Sequence, residues 1–278
     1  MNFPGEFFVD STCINCDACR QIAPDVFAEA EDYAYVKAQP ANTVGERQAL
    51  QALLACPTGS IGTEHPNTAA EVISDFPLPL TNGVFYCGFN SRDSYGANSY
   101  FITHPEGNWL VDSPRFNRHL LRYFSGIGGI QYIFLTHQDD VADANKYAEH
   151  FGARRIIHVE DQAAVPDAEI LIEPEDTREF GKDFRIVPTP GHTRGHCVLI
   201  HNQQELLSGD HLWWDPYKKR LTASRRVCWY SWEEQIASLA KLTEFEFSWV
   251  LPGHGQRIHL PLTEMHAQLK QLVARLSA

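Results

Sequence analysis

The sequence contains no run approaching the ~18 consecutive apolar residues that a membrane-spanning helix requires. Its first ten residues hold no basic stretch, no long apolar core and no small-residue cleavage site. No secretory signal is therefore expected, and a reducing compartment, the cytoplasm by default, is predicted. Basic side chains are scarce, with 23 Lys and Arg against 35 Asp and Glu and a net charge of −12. That balance excludes nucleic acid as a partner, because phosphate neutralisation needs clustered cations. Internal repeats and low-complexity tracts are also missing.

What is present is ordinary for a globular chain: 278 residues, 44% hydrophobic and 21% charged, a length that favours two domains. Residues 1–65 carry nine acidic side chains and only three basic ones, Arg20, Lys37 and Arg47. An acidic module of this kind would steer toward a basic electron-transfer protein, and simple solubility explains the charge equally well. A stretch over residues 63–82 with Pro66, Pro77 and Pro79 shows no sustained period and reads as a linker. The domain ranges expected are 1–65, a linker at 66–82, and 83–278.

Before the linker, strands are predicted at 7–9 and 33–36. A helix is predicted over 44–55, with Val44, Ala49, Leu50, Leu53 and Leu54 at helical spacing. After it, strands and helices alternate: a hairpin at 99–103 and 108–112, a helix at 115–124, a strand at 131–136 and a helix at 141–151. Strands follow at 155–159, 184–189, 197–201, 205–208 and 247–251, with helices at 232–242 and 262–276. Such alternation predicts a layered α/β architecture.

Three of the seven cysteines fall within seven positions, as Cys13-Ile-Asn-Cys16-Asp-Ala-Cys19, and Cys56-Pro57 adds a remote fourth. Without a secretory signal, this clustering points to a metal or cluster rather than to disulfides. The two-residue spacings suit three corners of a cubane, and Cys56 suits the fourth. A structural zinc site is the alternative. Ala23 stands where a second-cluster cysteine would fall. Over about residues 7–62 the segment resembles the single-cluster bacterial ferredoxins, a small α+β domain, and that resemblance implies one 4Fe-4S cluster. Cys87, Cys197 and Cys228 lack such an arrangement and are read as packing residues.

A second set of signals falls at the ends of predicted strands: Thr136-His137-Gln-Asp139-Asp140-Val-Ala-Asp143, Pro190-Gly-His192-Thr-Arg-Gly-His196, Gly209-Asp210-His211 and Pro252-Gly-His254-Gly255. In the last three, Gly precedes the polar residue and permits the sharp turn that points it into a cleft. Imidazoles and carboxylates are ligands for zinc or iron. The ordered set resembles the metallo-β-lactamase superfamily over about residues 83–260. That resemblance implies an αββα sandwich with metal at one edge, with His137, His192, Asp210 and His254 as ligands and Asp210 bridging two ions. The first motif departs from the family's T-H-x-H-x-D-H, having Asp139, Val141 and Ala142 where His, Asp and His are usual. Asp139 would replace the second histidine, and Asp143 would supply the displaced aspartate. Against this, Asp140 with Asp143 reads as a helix-capping pair. His196 is expected to support His192, and His211 to support Asp210. Trp213, Trp214, Trp229 and Tyr230 either wall the cleft or pack in the core.

Three functions follow as expectations. In the first, the 4Fe-4S module exchanges electrons with iron in the lactamase-type domain; the flavodiiron branch likewise replaces the second histidine by a carboxylate. In the second, the protein is a metal-dependent hydrolase of an ester or thioester, a small-molecule substrate, with an accessory ferredoxin. In the third, the lactamase-type site has lost turnover and the protein only carries electrons.

Overall fold

The computed structural model describes residues 2–174 and 177–277. The chain divides into two compact units, Met1–Tyr132 with Ala142–Ala153, and Ile133–Val141 with Arg154–Ala278. Met1 and Ala278, the outer limits of the expected domain ranges, lie outside the described residues.

In the first unit, strand Phe7–Val9 pairs antiparallel with Ile61–Thr63, and Phe27–Ala30 with Tyr33–Val36. Helix Thr43–Ala55 begins at Asn42, whose side chain accepts the Gly45 N–H, a cap that satisfies one free amide of the first turn. Ala49, Leu50, Ala52 and Ala55 form its buried face. Val44, expected to point inward, is 65% exposed, because the inward stripe begins one turn later.

The stretch expected as a linker, residues 66–82, carries secondary structure. It contains a 3-10 helix, Pro66–Asp75, and a strand, Leu78–Thr81, paired antiparallel with Val84–Tyr86. Neither leaves the expected periodicity: a 3-10 helix repeats every three residues. The strand lies at a sheet edge, where Pro79 can forgo its missing N–H. The meander continues through Tyr100–Ile102 and Trp109–Val111, the hairpin predicted around Gly107. Helix Arg118–Gly126 starts later than the expected residue 115, since Asn117 caps it by accepting from the His119 and Leu120 amides. The helix expected over 141–151 spans only Ala144–Phe151.

The second unit pairs Arg154–His158 in parallel with Ile170–Ile172. It also holds a six-stranded sheet in the order Arg178–Phe180, Phe184–Pro188, Cys197–His201, Glu205–Gly209, Trp249–Pro252, Ile258–His259. Within this sheet, among the described residues, only Glu205–Gly209 and Trp249–Pro252 run parallel. Cys197–His201 and Glu205–Gly209 are buried along their whole length, so they read as apolar runs rather than alternating strands. Helices Trp232–Leu242 and Leu262–Leu276 contribute Leu239, Leu242, Leu269 and Leu272 to a core with Val198, Leu206 and Val250. Each such side chain contributes about 1.5–3 kcal/mol when fully buried. Among the described residues, no helix is long and apolar enough to cross a membrane.

Candidate metal centres

Cys13, Cys16, Cys19 and Cys56 line one small cavity in the first unit, walled by Val9, Ile14, Ala34 and Ile61. All four are free thiols. Asn15 and Asp17, on either side of Cys16, adopt left-handed φ values of 58° and 71°. Short polar side chains tolerate that region better than most. Arg20 fixes the loop by donating to Asp17 (2.6 Å) and to Asn15 (2.6 Å). The Cys13 sulfur accepts the amides of Ala34 (3.3 Å) and Asn15 (3.4 Å). Burial pushes the Cys16 thiol up to about 12 and raises Cys19 as well. Buried sulfurs whose anionic form is costly unless a cationic centre stands among them fit an iron–sulfur cluster.

The second unit assembles the imidazoles and carboxylates. His137 follows strand Tyr132–Phe134, His192 follows Phe184–Pro188, Asp210 follows Glu205–Gly209, and His254 follows Trp249–Pro252. Ligand atoms of His137, His192 and Asp210 lie within 4.8 Å of one another, and so do those of Asp140, Asp210 and His254. Asp210 belongs to both groups. Its Oδ2 is 3.8 Å from His137 Nε2 and 3.7 Å from His192 Nε2, while Oδ1 is 2.8 Å from His254 Nδ1. Asp139 stands beside the two histidines of the first group, its Oδ2 3.4 Å from His192 Nε2 and 3.8 Å from His137 Nε2. Its side chain, 43% exposed, marks the side of the centre open to solvent.

Electrostatics agree with an inorganic occupant. The Nε2 atoms of His137 and His192 are buried and accept or donate no hydrogen bond, a costly state that a bound cation would relieve. Burial lowers His137 to about 4, so it is a neutral donor at physiological pH. Burial alone would raise Asp210, but His254, then His137 and His192, outweigh it and hold the carboxyl well below the usual range. Contact with His192 holds the Asp139 carboxyl below its usual range.

Two aspartates exchange their expected places. Asp143, predicted as a ligand, does not join the centre: Oδ2 accepts the Phe116 N–H (2.7 Å) and Oδ1 pairs with Lys146 (2.6 Å). Asp140, read as a helix cap, is 1% exposed and stands in the second ligand group. The cause is the 3-10 turn Gln138–Asp140, which ends before the helix begins at Ala144.

The supporting shell also differs from expectation. His196 serves Asp210 rather than His192: its Nε2 accepts the Asp210 N–H (3.3 Å), and its Nδ1 meets the Thr189 hydroxyl (3.0 Å). His192 is oriented instead by Val227, whose carbonyl accepts from Nδ1 at 2.5 Å and leaves Nε2 for the centre. His211 stacks on His196 with centroids 5.3 Å apart, and neither ring nitrogen is hydrogen-bonded. Asp161 had no sequence signal at all. It is buried and accepts from Gln138 N (3.0 Å), Thr193 Oγ1 (2.6 Å) and Gly195 N (2.9 Å), tying the His137 loop to the His192 loop.

Gly209 and Gly253 are required by close approach. A Cβ on Gly209 (φ 50°) would lie 2.6 Å from His196 Nε2, and one on Gly253 would lie 2.8 Å from both Asp140 Oδ2 and Asp210 Oδ1. Of the aromatics, Trp213 packs on Gly255, and Trp229 stands exposed with its ring 6.0 Å from that of His192. Cys87 and Cys197 are buried packing residues as expected; half-buried Cys228 donates to the Gly191 carbonyl.

Four metal-facing strand-end turns within a layered α/β chain, preceded by a four-cysteine cavity, define a metal-binding protein of metallo-β-lactamase type with a ferredoxin module. Residues 92–254 match the metallo-beta-lactamase superfamily and residues 9–63 match the 4Fe-4S single cluster domain of ferredoxin I. The chain belongs to the metallo-beta-lactamase superfamily, with its αββα fold. It is similar to a hydroxyacylglutathione hydrolase of Acidiphilium cryptum, 33% identical over 31% of this chain and 36% of the relative. A beta-lactamase-like protein 2 homolog of Drosophila melanogaster is 32% identical over 30% of this chain and 25% of its own. The matched stretches thus span well under two thirds of these relatives. Among solved structures, the DIM-1 metallo-beta-lactamase superposes with a TM-score of 0.53 at 15% identity, over 71% of this chain and 95% of its own. A metallo-beta-lactamase family protein from Thermus thermophilus gives 0.52 at 17% identity, over 72% and 81%. At such identities the likeness is one of fold.

Proposed function

We propose that this protein is a redox metalloprotein in which the 4Fe-4S module exchanges electrons with iron held between the histidines and aspartates of the second unit. The observation that carries this reading is Asp139 beside His137 and His192, a two-histidine, one-carboxylate arrangement characteristic of non-haem iron. With Asp140 and Asp210, three carboxylates stand among three imidazoles, a set richer in oxygen than zinc usually selects. Iron bound there would supply one-electron chemistry, and the cluster would store and deliver single electrons.

The residues have distinct tasks. His137, Asp139, His192 and Asp210 would hold one ion, and Asp140, Asp210 and His254 a second. His196 and Thr189 hold the Asp210 turn, Val227 sets the tautomer of His192, and Asp161 locks the two histidine loops together. A donor protein with a basic surface would approach the exposed Asp10, Asp25, Glu29, Glu31 and Asp32. Reduced cysteines of this kind accord with a cytoplasmic setting. Elemental analysis of anaerobically purified protein tests the reading: it requires more iron than the roughly four atoms of one cluster. Four iron atoms accompanied by zinc would overturn it.

A hydrolase is the second reading, favoured by relatives named hydroxyacylglutathione hydrolase. In that case water adds to a thioester carbonyl, and acid and thiol leave, with no electron transferred. A Cys16→Ser protein cleaving a hydroxyacylglutathione at the full rate would decide for it. The third expectation, a site without turnover, is weakened by Asp140, which supplies a donor where Val141 and Ala142 cannot.

A further inference from the structure

The residues lining the cysteine cavity all belong to the ferredoxin-like segment. Behind Cys16 packs the turn over residues 88–97 of the same compact unit, most of which falls in the metallo-β-lactamase match. Gly96 is buried with φ 85°, and a Cβ there would lie 2.6 Å from Cys16 Cβ, 2.9 Å from Pro57 Cγ and 3.0 Å from Cys16 Sγ. No other residue type fits that contact without moving a cluster cysteine or the proline after Cys56.

Several bonds brace the turn and hold it against the segment that ends in Cys56. Fully buried Asn90 donates its main-chain N–H to the Ala55 carbonyl (3.1 Å), next to Cys56. Its side chain donates to the Gly96 carbonyl (2.7 Å) and accepts from the Tyr86 hydroxyl (2.7 Å). The Arg115 guanidinium donates to the Leu54 carbonyl (3.1 Å), and its main-chain N–H to Phe89 (2.9 Å). Gly96 N–H closes the turn on Ser91 (2.8 Å). Tyr95, at φ 53°, and Gly96 are consecutive left-handed residues. A non-glycine residue in that region is uncommon, and at Gly96 the lack of a Cβ is what lets the chain approach Cys16.

We propose that the turn 88–97, with Gly96 at its contact point, is a working wall of the 4Fe-4S site. It seals the Cys16 face from water and so sets both the reduction potential and the oxygen tolerance of the cluster. Solvent exposure is one of the principal controls on iron–sulfur potentials, because water favours the more highly charged reduced form. The ferredoxin module is then incomplete by itself, and the lactamase-type part finishes its cofactor pocket. The inference concerns the cluster only, and stands whether or not electrons continue to the second unit.

The test uses the full chain, purified without air, as wild type, Gly96→Ala, Gly96→Val and Gly126→Ala. Gly126 is the control, since a Cβ there meets nothing within 4 Å. Cluster absorbance after exposure to air, the midpoint potential and the reduced-state EPR spectrum are read. Gly96→Ala should bleach several-fold faster with a potential moved in the positive direction, Gly96→Val should bleach faster still, and Gly126→Ala should match wild type. Gly96→Ala with wild-type bleaching and potential overturns the proposal. Should neither Gly96 variant yield folded protein, Arg115→Gln takes their place. It cuts the tie to Leu54 without adding volume, and faster bleaching with unchanged iron or zinc in the second unit is expected. Wild-type bleaching of Arg115→Gln would then count decisively against the wall.

Discussion

Asp140 and Asp143 are the same side chain three positions apart, yet the turn between them gives them opposite tasks. Asp140 is enclosed beside Asp210 and His254, while Asp143 spends both oxygens on Phe116 and Lys146. Asp140→Asn should therefore lower the second-unit metal content of purified protein toward one ion, measured by elemental analysis. Asp143→Asn should leave that content unchanged and reduce stability by about 1–3 kcal/mol, the cost of weakening a charged hydrogen bond that is mostly buried. Equal metal loss in both variants would return Asp143 to the ligand set. Asp161 is a stricter case, since three donors depend on it. Asp161→Ala should weaken metal binding about 10–100-fold in a competition titration against a chromogenic chelator, although no ligand is touched. At this scale the sequence disclosed the histidines, because each stands alone after a glycine or a threonine at a strand end. It hid Asp161, whose value lies in three partners contributed by distant segments.

Elements were legible in proportion to their periodicity. Helices Thr43–Ala55, Trp232–Leu242 and Leu262–Leu276 carry apolar stripes and lie within a residue of expectation. Short 3-10 turns carry none, so Pro66–Asp75 read as linker, and Asp140, the last residue of turn Gln138–Asp140, read as the cap of a helix at 141–151. The parallel pair Arg154–His158 and Ile170–Ile172 shows what else periodicity omits. Arg155 donates to Glu169 from its main chain (2.6 Å) and its guanidinium (2.7 Å), and this hydrogen bonding holds the Glu169 carboxyl down to about 2 from 4.5. A carboxyl depressed in the folded state stabilises fully above the unfolded value and loses that contribution as pH falls through the folded one. Thermal melts should show wild type above Glu169→Gln at pH 7, with the gap narrowing below about pH 4.5 and closing near pH 2. Because Glu169 is 39% exposed, solvent screening keeps the gap small. A gap that widened in acid would refute the assignment.

At the scale of the whole molecule, the two inorganic sites draw on different chemistry and different compact units. The four candidate thiols of residues 13–56 lie wholly in the first unit, and the six candidate imidazole and carboxylate donors lie wholly in the second. The sequence separated these two sets cleanly and placed a linker at 66–82; the structure has a 3-10 helix and a paired strand there, and its compact units divide elsewhere. Patterns of residue types reveal what binds, whereas unit boundaries follow contacts between distant segments that no local pattern records. Independent ligand sets predict independent loss. Dialysis against a carboxylate chelator under nitrogen should strip the second unit, whose Asp139 is partly open to solvent, and leave cluster absorbance intact. Conversely, Cys16→Ser should abolish the cluster spectrum and retain the second-unit ions. If chelation bleached the cluster in step with the loss of those ions, the two sites would have to share a stabilising equilibrium, and the assignment of each ligand set to its own unit would fail.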